Sequence, residues 1–98
     1  MENKTHQQNS SNSSPQAIET SLNITGYKLL TAKKVDDAIE VFLLNVKLFP
    51  NAWNTYDSLG EAYAAAGKKD LAIKNYERSI ELNPQNDNGK KMLEQLKH

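Results

Sequence analysis

The sequence contains no cysteine, which excludes a disulfide framework, a cysteine-ligated zinc site and a thiol nucleophile. Neither sign of charge is in excess. Twelve Lys and Arg stand against 12 Asp and Glu, so bulk electrostatics would hold neither nucleic acid nor a membrane surface of anionic lipid. No apolar run approaches the ~20 residues of a membrane span. No basic segment followed by an apolar stretch marks a secretory signal. For a complete chain these absences make the cytoplasm the expected location; for a piece of a larger protein they leave the compartment open. Histidine is scarce too: His6 falls in a polar tract and His98 is the last residue, so neither is held by a scaffold. A Ser-His-acid group, a nucleophile elbow, a His-x-x-x-His metal pair and a phosphate-binding glycine loop are absent. The sequence predicts no enzyme, no bound metal and no cofactor.

What is present divides near residue 17. The apolar fraction, 38%, is low for a globular chain of 98 residues. Ten of the first 17 residues are Asn, Gln or Ser, and only Met1 and Ala17 among them are apolar. Such a tract cannot bury enough surface to offset its ordering entropy, which predicts a disordered tail or linker over residues 1–17. Asn-x-Ser/Thr triplets at Asn3, Asn9, Asn12 and Asn23 match a glycosylation pattern, but without a signal sequence they read as chance.

Residues 18–98 read as an all-α domain. Ala38, Ile39, Phe42 and Val46 share one helix face, and Pro50 stops that helix. Ala72, Ile73, Tyr76 and Ile80 repeat the face, and Pro84 stops it again. Gly67 suits the left-handed turn after a helix, and Asp87 is the expected cap of a last helix carrying Met92, Leu93 and Leu96. Five helices are predicted, over residues 18–31, 35–48, 52–66, 69–82 and 87–97. The predicted core comprises Leu22, Gly26, Leu29, Ala38, Ile39, Phe42, Tyr56, Leu59, Gly60, Tyr63, Ala72, Ile73 and Tyr76. Asp36-Asp37 could suggest a metal, yet carboxylates in a first helical turn are explained by the helix dipole. Gly67-Lys68-Lys69 reads as a turn with solvated charges. Trp53, beside Phe49 and Pro50, reads as packing between hairpins rather than as a ligand platform.

A 34-residue period runs through these helices, laying residues 19–52 over 53–86. Eight positions are identical: Gly26/Gly60, Ala32/Ala66, Lys34/Lys68, Asp36/Asp70, Ala38/Ala72, Ile39/Ile73, Leu48/Leu82 and Pro50/Pro84. Residues 53–86, with Tyr56, Leu59-Gly60, Tyr63, Gly67, Ala72, Tyr76 and Pro84 in this order and spacing, resemble a tetratricopeptide repeat (TPR). Residues 19–52 resemble it more loosely, with Thr25 for the usual Leu, Lys33 for the turn Gly and Asn45 for a small residue. Residues 87–98 resemble the solvating helix that closes such arrays, Lys90, Lys91, Glu94, Gln95 and Lys97 supplying its polar face. The resemblance implies antiparallel helix-turn-helix repeats stacked as a right-handed superhelix with a concave inner surface. Each hairpin leaves one apolar side open. No cap precedes Glu19, so the first hairpin is expected to rest on a second copy, as a homodimer, or on a larger parent protein.

The same resemblance places the binding surface on the first helix of each hairpin. Carried onto this chain it comprises Thr20, Asn23, Tyr27 and Leu30, then Asn54, Asp57, Glu61 and Ala64, then Asn88, Lys91, Gln95 and His98. The family's carboxylate clamp is not matched, because Asn23, Tyr27 and Ser58 stand where its Lys and Asn residues belong and Asp57 and Glu61 would repel a carboxylate. Asn23, Tyr27, Leu30, Asn54, Asp57, Glu61 and Lys91 are the candidate peptide-binding residues. The expected partner is a protein or peptide segment with a basic residue and an apolar anchor. Asp57 and Glu61 lie side by side on one helix face, and on sequence grounds the repeat's own packing requires neither. An alternative function comes from a second resemblance, to the C-terminal tails of bacterial serine hydrolases of the penicillin-binding and α/β-hydrolase kinds. It implies a non-catalytic accessory domain with a structural or oligomerisation role. An open reading frame from Met1 to His98 favours the interaction module; an upstream in-frame hydrolase favours the tail.

Overall fold

Ser14 and Pro15 start the first helix: the Ser14 hydroxyl accepts the Ala17 amide at 3.2 Å, and Pro15 occupies a position where its missing N–H costs nothing. In this computed structural model, which describes residues 14–98, that helix, α1, spans Pro15–Thr31. Helix thus begins three residues before Ile18, because the cap and proline at the end of the polar tract outweigh its lack of apolar residues. The rest of the expected tail, residues 1–13, lies outside the described residues. The remaining helices are α2 (Val35–Leu48), α3 (Trp53–Ala65), α4 (Lys69–Leu82) and α5 (Asp87–Lys97), with no strand among the described residues. Each packs on its predecessor, and α1 also touches α3. The architecture is therefore all-α, two stacked helix-turn-helix repeats closed by a fifth helix.

The 34-residue period is written into the backbone hydrogen bonds. The Lys34 amide donates to Leu29 O and the Lys68 amide to Tyr63 O, both at 2.9 Å. Beyond α2 and α4, the Phe49 and Asn83 amides donate to Asn45 O and Ser79 O, again at 2.9 Å each. Both helix-turn-helix corners use a left-handed residue, Gly67 with φ 76° and Lys33 with φ 66°. Lys33 thus pays the Cβ penalty that glycine avoids at the matching corner. Lys33→Gly should stabilise the domain by about 0.5–1 kcal/mol, read as a higher melting temperature. At the start of α5 the cap is Asn86 rather than the expected Asp87, since the Asn86 side chain accepts the Gly89 amide at 3.0 Å and Asp87 is already helical.

Ala38, Ile39 and Phe42 of α2 form one core with Leu59 and Ala62 of α3. Phe42 is fully buried and meets the Tyr27 ring edge-on, centroids 5.2 Å apart and planes at 66°. Tyr76 fills the second hairpin beside Gly60 as Phe42 fills the first beside Gly26. Leu22, Leu29, Tyr56, Tyr63 and Ile73, expected in the core, are only half-buried. Tyr56 shows why: its hydroxyl donates to Pro50 O at 2.7 Å and its ring lies under the exposed Arg78 guanidinium. Trp53 remains 37% exposed at the start of α3.

The looser match of the first repeat has a packing cause. Thr55, Ser58, Leu59 and Ala62 are buried, and their 34-residue counterparts Ser21, Ile24, Thr25 and Lys28 are all exposed. Leu59 and Ala62 pack on α2, whereas nothing in the described chain covers the same face of α1. A helix stacked there as α2 stacks on α3 would have to bury Lys28.

Candidate functional site

The candidate residues sit on α1, α3 and α5, the first helices of the successive units, and the structure ties those of α1 and α3 together directly. The Tyr27 hydroxyl donates to Glu61 Oε1 at 2.9 Å. One turn earlier the Ser58 hydroxyl donates to Asn23 Oδ1 at 2.6 Å. One turn earlier again the Asn54 amide donates to the Glu19 carboxylate. These partners lie 34 or 35 residues apart, so the repeat itself brings them together. Leu30 packs half-buried against the core. Lys91 lies exposed on α5 and is not drawn into this row.

Two acids shape the electrostatics, and each accepts a hydrogen bond from another helix or its cap, contacts not evident from the sequence. Glu61 is the acceptor for Tyr27. Asp57 accepts from the Asn86 side-chain amide at 3.1 Å. No ion pair reaches either acid among the described residues. Burial pushes the Asp57 carboxyl above the ordinary range, partly offset by the Asn86 hydrogen bond. Burial also pushes Tyr27 up to about 12, with the Ser58 hydrogen bond opposing and Glu61 adding to the shift. Tyr76 is raised by burial and by the nearby Asp57 and Glu61 charges. Both phenols therefore stay protonated, and the Tyr27 O–H remains a donor.

The Asp57 shift has a stability consequence with a definite sign. Its folded pKa lies above its unfolded value, so the fold favours the neutral carboxyl. That contribution is fully present below the unfolded pKa, about 3.9, and is lost as pH rises through the folded midpoint. Asp57→Asn keeps an acceptor for Asn86 and removes the titration. The difference in urea midpoint between variant and wild type should therefore grow in favour of the variant as pH rises across this window.

Four residues that the sequence did not single out belong to the same region, Glu19, Ser79, Asn86 and Gly89, together with Ser58, which the sequence marked only as a departure from the clamp. The buried Asn86 amide donates to Ser79 Oγ at 2.9 Å as well as to Asp57. Asn86 was legible as a cap, since it follows Pro84 and precedes a helical run, but its reach back to α3 has no local signature. Asn45 is fully buried. Its amide donates to Glu19 O at 3.1 Å and its Oδ1 has no partner in the described chain. Among the described residues no three His, Asp or Glu side chains group to hold a metal, and no helix is long and apolar enough to cross a membrane.

Residues 58–86 match the family model of the tetratricopeptide repeat. Comparison with curated proteins finds no match by sequence. Among solved structures, the fold matches the type III secretion translocator chaperone SycD of Yersinia enterocolitica. The TM-score is 0.77 at 22% identity, covering 85% of this chain and 57% of SycD. A second structure, SycD in complex with a peptide of the translocator YopD, matches with a TM-score of 0.74 at 21% identity, covering 79% of this chain and 59% of that one. The chain thus spans under three-fifths of the length of the SycD chains it matches.

Proposed function

We propose, for a chain whose residues 58–86 are a tetratricopeptide repeat, a protein-interaction module that takes an extended peptide along the concave row of its first helices. The observation that carries this reading is the tied row itself: Glu19, Asn23 and Tyr27 on α1 are joined to Asn54, Ser58 and Glu61 on α3 in turn, and Asp57 lies between Asn54 and Glu61 on the same helix face. At its acidic part, Asp57 and Glu61 have neutral hydrogen-bond donors and, among the described residues, no ion-pair partner, a surface suited to a Lys or Arg side chain. Leu30 and the half-buried Tyr27 ring supply an apolar neighbour for a second anchor. The solved SycD complex with a YopD peptide supports a peptide as the kind of partner.

A peptide array followed by titration tests the proposal. Peptides pairing a basic residue with an apolar one should bind best, and binding should weaken with salt, because exposed charges are screened over about 8 Å at physiological ionic strength. The double variant Asp57→Asn with Glu61→Gln keeps both acceptors and removes both charges. It should cost roughly threefold to tenfold in affinity for basic peptides and leave the fold intact. If no peptide binds, or acidic peptides bind best, the groove reading fails and the accessory-domain reading takes its place.

A further inference from the structure

We infer that Asn86 couples the last helix to the groove: the side chain that starts α5 also holds Asp57 in position, so the acidic part of the groove is complete only while α5 is docked. The inference rests on the groove reading and names how that site is controlled.

Every hydrogen-bonding atom of the buried Asn86 amide is committed. Its two N–H bonds go to Asp57 Oδ1 at 3.1 Å and Ser79 Oγ at 2.9 Å, and its oxygen accepts the Gly89 amide at 3.0 Å. Three helices, α3, α4 and α5, therefore meet on one side chain. Gly89 makes the arrangement possible, because a β-carbon there would run into the Asn86 amide and stand 3.2 Å from Asp57 Oδ1. The turn after Pro84 delivers Asn86 to this place, its own amide donating to Asn83 O at 3.0 Å.

The first junction is built differently, which gives the second one its role. By the 34-residue offset Asn86 corresponds to Ala52, Gly89 to Thr55 and Asp57 to Asn23. Asn23 is held by the Ser58 hydroxyl of the next first helix. The residue matching Ser58 on α5 is Met92, which has no proton to donate. At the second junction the tie passes instead to the cap residue. The titratable groups around Asp57 supply no substitute: Glu61 on its own helix carries the same charge, and Tyr27 from α1 and Tyr76 from α4 are phenols that the Asp57 charge helps keep protonated. No ion pair involves Asp57 among the described residues.

Two cap-preserving variants separate the tie from the cap. Asn86→Ser and Asn86→Asp both retain an oxygen to accept the Gly89 amide; the serine hydroxyl stops one bond short of the amide nitrogen that reaches Asp57, and an ionised Asp has no donor. The Asp variant also sets a like charge against Asp57. The Asp57 titration midpoint, followed by NMR of its carboxyl carbon, should rise from wild type to Asn86→Ser and rise further in Asn86→Asp, with α5 still helical by backbone chemical shifts. In Asn86→Ser, affinity for a lysine-containing peptide should fall roughly threefold to tenfold, about the net worth of one hydrogen bond, while a matched neutral peptide is unaffected; Asn86→Asp, which adds a negative charge to the groove, is read by the Asp57 midpoint alone. An unchanged Asp57 midpoint in both variants overturns the coupling. A wild type that does not distinguish the two peptides overturns the groove reading instead, and the shifted midpoint then still establishes the tie.

Discussion

Phe42→Ala should destabilise the domain by about 3–5 kcal/mol, a large share of the about 5–15 kcal/mol that small domains hold in total. The ring is fully buried, stands edge-on to Tyr27, and belongs to the cluster that joins α2 to α3 through Leu59 and Ala62. Its removal opens a cavity at the junction of the two hairpins, where collapse would require the helices to move as bodies. Leu43→Ala, one residue on and 39% exposed, is the control and should change stability by less than about 1 kcal/mol. Urea denaturation of the two variants checks the contrast; equal midpoints would mean that Phe42 does not hold the junction.

Overpacking the two matched glycines should give the next largest losses, in a definite order. A β-carbon on Gly60 would stand 3.1 Å from the Tyr76 ring, whereas one on Gly26 would run into the Phe42 ring itself. Gly60→Leu should therefore cost roughly 1–3 kcal/mol, with Gly26→Leu at or above the top of that range. Thermal melts of both variants, with the alanine substitutions beside them, measure the order. No loss at either position would show that the helices of each hairpin do not cross there.

Much of this fold was legible because a repeat states its rules twice. Pro50 and Pro84, Gly26 and Gly60, and Ala38 and Ala72 each carry a local stereochemical reason, and their 34-residue spacing turns those reasons into an architecture. The predicted helices over residues 35–48 and 69–82 coincide with α2 and α4, whose first turns carry Asp36, Asp37 and Asp70. Lys33 shows where residue preference misleads: the chain needs a left-handed corner and takes it without a glycine. The Asp87 cap was misplaced by one residue because Asn86 and Asp87 are both good caps locally. What decides between them is Ser79 and Asp57, seven and 29 residues from Asn86 in sequence.

The candidate surface was less legible than the fold, for a related reason. The family resemblance places Asn23, Tyr27, Asp57 and Glu61 on one face of the first helices, and their spacing of four agrees with it. Their partners are on other helices and follow no helical spacing. Tyr27 is placed on that face as a candidate contact, yet nothing local shows that its hydroxyl is engaged with Glu61 and its ring leans on Phe42. Glu61 and Asp57 read as unneeded charges, yet each accepts a hydrogen bond from a neighbouring unit. The groove row is thus also part of the mortar between repeats, so charge-preserving and acceptor-preserving substitutions probe different properties of it.

The most direct measurement is a map of amide chemical-shift changes as the tightest peptide from the array is titrated into the protein. The largest changes should fall on Asn23, Tyr27, Asn54, Asp57 and Glu61, extend toward Leu30 at one end and Lys91 at the other, and shrink in the Asp57→Asn, Glu61→Gln variant. Changes centred instead on the outer face of α2 and α4, around Leu43, Leu44 and Arg78, would contradict binding along the first helices.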